Sequence, residues 1–64
     1  MTTAQYRRDA LAAEARIQWR EAAHCWRMAI AEYPILARHQ TSGAADIERM
    51  RRRMEACEAS AMAG

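Results

Sequence analysis

Leu11 to Pro34 reads LAAEARIQWREAAHCWRMAIAEYP. Within it, Trp19, Ala22, Ala23, Trp26, Ala29, Ile30 and Tyr33 recur at three- and four-residue steps, which puts them on one stripe of a helix. Large aromatics interleaved with alanines make a face that lets another helix approach closely. The stretch therefore points to an all-α fold built on a helix-turn-helix hairpin, and to packing or binding rather than catalysis.

Upstream, the first helix is expected over about residues 3–16. Thr2 and Gln5 have capping-box spacing, each able to satisfy a free amide of the other's backbone. Tyr6, Ala10, Ala13 and Ile17 form its inner stripe, with Leu11 on the flank, and Arg7, Arg8, Asp9, Glu14 and Arg16 are left to solvent. No glycine or proline marks the turn at Ile17 and Gln18, so helix propensity alone also allows one continuous rod. The phase of the stripes argues for a break. Continuing the first stripe leads to Arg20, Glu21 and His24, whereas the apolar residues actually run through Trp19, Ala22, Ala23 and Trp26.

The second helix is expected over about residues 19–33. It should stop at Tyr33 because Pro34 lacks an amide and disfavours helical geometry in the residue before it. Residues 34–43 read as a loop in which Ile35 and Leu36 fold back over the hairpin while Arg38, His39, Gln40, Thr41 and Ser42 face water. A third helix, over about residues 44–60, takes Thr41 or Ser42 as its cap and Asp46 in its first turn. Its apolar line is Ile47, Met50, Met54, Cys57 and Ala61, the spacing of a helix that packs along a seam. The last residues, 60–64, are expected to fray.

Sixty-four residues allow a single small domain near the lower limit for an independent core. Ordering costs about 1.5 kcal/mol per residue, close to what so alanine-rich a core returns. Self-association, giving a homo-oligomer, or docking on a partner is the expected remedy. The net charge of +2 demands neither nucleic acid nor a membrane, although all ten basic residues are arginine. Cys25 and Cys57 lie far apart in no metal or redox motif, which suits a reducing cytoplasm. The N-terminal MTTAQYRRDA has no apolar core of signal-peptide length, and no run is long enough to span a bilayer.

Residues that carry chemistry are sparse. His24, Cys25, His39 and Cys57 lack zinc-site spacing, so neither a metal nor any other cofactor is expected. Ser42 sits in no nucleophile turn, no carboxylates pair in an apolar setting, and no Gly-rich phosphate loop exists, so no catalytic residue is assigned and no enzyme is expected. What remains is a surface. Trp19 and Trp26 either fill the core or present a ring to a partner. Arg49, Arg52 and Arg53 lie opposite the Ile47, Met50 and Met54 line. Glu48 is spaced to pair with Arg52, and Arg51 with Glu55, which makes a solvated face the first reading. An acidic protein surface is the second and phosphate the third.

The run from Ala13 to Pro34 resembles a single tetratricopeptide-type unit, with Trp19, Ala22, Ala29 and the closing Pro34 in place. A longer pattern resembles the ANR family, small negative regulators of AraC-type transcription activators. It comprises Tyr6, Ala10, Ala13-Glu14, Trp19-Arg20-Glu21-Ala22-Ala23, Trp26 and Ala29, with Arg49, Arg53 and Cys57 where that family's final segment lies. PerC-like regulators share a similar aromatic-alanine hairpin. The chain departs from the ANR pattern in carrying Ile17 for the turn glycine, and Ile47 where an aromatic is more usual. The resemblance implies a protein that binds a transcription activator and blocks its dimerisation or DNA binding. Trp19, Trp26, Ile47, Met50 and Met54 would then supply apolar contact, and Arg49, Arg52 and Arg53 orientation. A small nucleic-acid-binding regulator using those arginines, or a purely structural homo-oligomeric subunit, are the alternatives.

Overall fold

A computed structural model describes residues 1–63 as four helices: α1 Thr3–Ala15, α2 Trp19–Ala31, the one-turn α3 Ile35–Arg38, and α4 Thr41–Ala63. Among the described residues there is no strand, so the all-α class and the hairpin both hold. The Thr2/Gln5 capping box is present: the Gln5 amide donates to Thr2 Oγ1 and the Thr2 amide to Gln5 Oε1.

The hairpin breaks where the stripes lose phase. Ile17 has φ of 59°, the left-handed region. Its amide donates to the Glu14 carbonyl, and the Gln18 amide donates to the Ala13 carbonyl. That pair of bonds is a Schellman ending, which satisfies the last carbonyls of α1 and reverses the chain. Glycine normally occupies this position, because a β-branched side chain crowds its own backbone there. The side chain is 69% exposed, so Ile17 does not belong to the inner stripe as expected; the turn lifts it away from the core.

α2 ends at Ala31 rather than Tyr33, three residues before Pro34. The segment expected to be loop contains α3, which starts on Pro34; the Pro34 carbonyl accepts from the Arg38 amide. Ile35 and Leu36 do not cover the hairpin, being 71% and 84% exposed. Arg38 does not face water either. Its Nη2 donates to the Ile30 carbonyl, which also accepts from the Tyr33 amide, and to the Tyr33 carbonyl just past the end of α2.

α4 begins three residues earlier than expected and runs to Ala63, past the expected end at residue 60 and through most of the tail expected to fray; Gly64 lies outside the described residues. Thr41 and Ser42 are thus within the first turn instead of capping it, and the Gln40 carbonyl accepts from the Ala44 amide. Asp46 falls beyond that first turn. Gly43 is buried because α3 crosses directly over it: a Cβ there would sit 1.8 Å from the Ala37 carbonyl oxygen.

Both α1 and α4 pack extensively on α2, while contact between α1 and α4 is slight. Cross-links show that both run antiparallel to α2. Thr3 Oγ1 donates to the Ala29 carbonyl, and Tyr33 Oη to Asp46. α1 and α4 are therefore parallel neighbours with α2 between and beneath them. The core consists of Ala10, Ala13, Ala22, Ala23, Ala29, Trp26, Met50 and Cys57. Five alanines in eight explain why the helices approach so closely and why so little apolar area is enclosed. The Cα envelope measures 37 × 20 × 14 Å. Its thinnest dimension, 14 Å, exceeds the Cα cylinder of one helix, about 4.6 Å across, by about one interaxial step of about 8–10 Å, as α2 beneath α1 and α4 requires. Its width of 20 Å exceeds one interaxial step of about 8–10 Å plus that cylinder, which fits α1 and α4 standing apart.

Candidate partner-binding groove

The separation of α1 from α4 leaves a groove of about 400 Å³ between them. Its floor is Trp26 of α2. Arg7 and Leu11 form one wall, and Asp46, Arg49, Met50, Arg52 and Arg53 form the other. Arg7, Leu11 and Glu14 recur at steps of four and three along α1, a second line beside its alanine stripe. The alanines meet α2, and this second line is turned towards α4.

Glu14 organises the far end. Trp26 Nε1 donates to Glu14 Oε2 at 2.6 Å. The Arg53 guanidinium grips the same carboxylate from α4, with Nη2 at 2.7 Å from Oε1 and Nε at 3.4 Å from Oε2. Arg53 also lies over the Trp26 ring, 5.7 Å from its centroid. One carboxylate thus joins three helices. Glu14 was expected in solvent, but its side chain is only 18% exposed. The indole needed an acceptor, and helix spacing from Ala10 and Leu11 brings Glu14 to it.

At the opposite end Tyr33 Oη donates to Asp46 Oδ2, and Arg49 holds Oδ1. Arg49, then the Tyr33 hydroxyl, keep the Asp46 carboxyl below the ordinary carboxylate range. Partial burial and the same bond to Asp46 push the Tyr33 phenol above its usual value. Glu48 pairs with Arg52 as the spacing required, and also with Arg51, at 3.7 Å each; the expected partner of Arg51, Glu55, is not used. Across the other edge of α4, Arg27 meets Glu58.

The expected contact residues separate into three groups. Trp26 and Met50, at 4% and 2% exposure, are core residues with an edge on the groove. Trp19, Ile47 and Met54 are half-buried against the core, so the Ile47–Met50–Met54 seam faces α2 rather than open solvent. Arg49, Arg52 and Arg53 are exposed on the groove rim, Arg53 being tied to Glu14. Sequence reading missed Arg7 and Leu11. The available signal was Leu11 itself, a large apolar residue set off from the inner stripe; it remains 50% exposed. Ile35 and Leu36 make a second apolar spot at the α3 corner.

Chemically reactive groups are few in this arrangement. Both thiols are free, and burial followed by nearby carboxylates raises each: Asp9 and Glu21 act on Cys25, and Glu14 on Cys57. Raised thiols are poor nucleophiles at neutral pH. Among the described residues no cluster of three metal-ligating side chains occurs, and no helix is long and apolar enough to cross a membrane. No family model matches this chain, and no curated protein or solved structure is significantly similar to it.

Proposed function

We propose that this chain is a small, non-enzymatic regulator that works by binding another protein, and that its target is a transcription activator of the AraC type whose dimerisation or DNA binding it blocks. The observation that carries the reading is the groove over Trp26. Domains ordinarily bury their apolar faces between at least two layers. Here α1 and α4 pack on the same helix and stand apart, leaving Leu11 and the edges of Trp26 and Met50 open between them. The W-R-E-A-A-x-x-W run, Trp19 to Trp26, adds the resemblance to the ANR regulators and supplies the choice of target.

Direct use of the arginines on nucleic acid ranks behind this. Arg49, Arg51, Arg52 and Arg53 each have a carboxylate partner in Asp46, Glu48 or Glu14, which lowers the field a phosphate would meet. The assembly-subunit reading rests on Ile35 and Leu36, which stand open on α3. If copies joined through them, replacing both with serine would lower the mass measured in solution.

The regulator reading is tested by adding the purified chain to an AraC-type activator bound to its operator. Loss of the activator–DNA complex is expected, with no binding of the chain to that DNA alone. An activator that stays on its operator at saturating concentrations of the chain, or direct DNA binding by the chain, overturns the reading.

A further inference from the structure

We infer that the groove between α1 and α4 receives about two turns of an amphipathic helix from a partner protein, with apolar side chains seated on Leu11 and Trp26 and with aspartate or glutamate on its flanks. This rests on the protein-binding reading above and names the occupant. The α4 wall runs from Asp46 to Arg53, which spans about 10 Å, or two turns, at the helical rise of about 1.5 Å per residue. Two parallel helices standing apart on a third leave the position that a fourth helix takes in a bundle. The apolar floor is short, so two anchors spaced three or four residues apart fill it.

Charge selects the flanks. Four of the eight lining residues are arginine against a single aspartate, and counting Glu48 and Glu14, which pair with Arg52 and Arg53, still leaves one positive charge over. Arg7 makes no ion pair among the described residues. Arg49 and Arg52 are 70% and 77% exposed in their side chains. Each guanidinium has five N–H donors, so the pairs these two make with Asp46 and Glu48 leave donors pointing outward. A second copy of this chain is a poor occupant in a symmetric arrangement, because it would bring the same arginine rim against itself. An acidic helix meets both the apolar floor and the rim.

The test uses two synthetic helical peptides of about three turns, cross-linked between side chains so that helix formation costs little on binding. Both carry leucines four apart, one with glutamate flanks and the other with arginine flanks. Titration calorimetry should show the glutamate peptide binding at least about tenfold tighter than the arginine peptide, with the gap narrowing as salt rises. Leu11→Asp should weaken the glutamate peptide by about tenfold or more, since it puts a carboxylate on the apolar floor. Arg7→Glu should reduce or reverse the preference between the two peptides. Both positions are exposed, and circular dichroism should show both variants retaining wild-type helix content.

Equal binding of the two peptides, no binding of either at millimolar concentration, or indifference to Leu11→Asp overturns the inference. So does a wild-type oligomer that Leu11→Asp dissolves, which would put a second copy in the groove. Displacement of the glutamate peptide by duplex DNA would assign the rim to nucleic acid, with the same consequence. The two proposals separate cleanly. Release of the activator by wild type and Leu11→Asp alike keeps the regulator and removes the groove. Leu11-dependent binding of the glutamate peptide with the activator undisturbed keeps the groove and removes that target.

Discussion

Ile17 holds the hairpin turn in a conformation that suits glycine. A left-handed backbone costs an L-residue about 1–2 kcal/mol, while glycine loses about 0.5–1 kcal/mol more chain entropy on folding. With φ at 59° and no core contact to lose, Ile17→Gly is expected to stabilise the chain by about 0.5–1 kcal/mol and raise its Tm. A lower Tm would show that the side chain has a favourable contact outweighing the strain. Glu14 acts in the opposite sense. Truncation in Glu14→Ala leaves the Trp26 Nε1–H without its acceptor and Arg53 without its partner. A loss of about 2 kcal/mol is expected in urea unfolding, most of it from the indole because Arg53 is half exposed to water. Glu14→Gln, which keeps an acceptor oxygen, should lose less. Equal losses for the two would mean that charge rather than the indole bond dominates.

Among the helices, the corner between α3 and α4 depends on Gly43. An added Cβ meets backbone at 1.8 Å, so either α3 leaves α4 or α4 shifts. Gly43→Ala is expected to cost about 1–3 kcal/mol. Hydrogen exchange should place the loss in residues 35–43, with α1 and α2 still protected; wild-type protection at α3 would contradict the close crossing. The α2–α4 junction responds to pH through Asp46 and Tyr33. The folded Asp46 carboxyl is depressed, so its contribution is complete above the unfolded value of about 3.9 and disappears as pH falls through the lower folded value. The raised Tyr33 phenol works the other way. Its contribution is complete below about 10 and lost as pH climbs through the higher folded value. Asp46→Asn should flatten the acid limb of the stability curve below about pH 4 relative to wild type. Coincident acid limbs would remove Asp46 from the account.

Taken as one object, the molecule is two helices laid on a third, and among the described residues its core has only three side chains larger than alanine. Its own stability is therefore expected to be modest, and an occupant of the groove should add to it by mass action. At a concentration of 100 times Kd the gain is about 2.7 kcal/mol. For a chain of this length each kcal/mol moves Tm by about 4–8 °C, giving a rise on the order of 10–20 °C with the glutamate-flanked peptide. Leu11→Asp should abolish the rise; a rise of equal size in that variant would place the peptide elsewhere.

Local chemistry alone accounts for much of this architecture. The Thr2/Gln5 box, Pro34 and the three- and four-residue recurrence of Trp19, Ala22, Trp26 and Ala29 act within a turn or two of chain, so they could be read without a fold. The phase mismatch at Ile17 likewise located a turn that no glycine announces. The groove is different in kind. Whether Glu14 is solvated or clamped, whether Met50 faces a partner or α2, and whether Leu11 is covered all depend on the distance between α1 and α4. No residue spacing encodes that distance. It follows from how both helices settle on the alanines and indole of α2, which is a property of three dimensions.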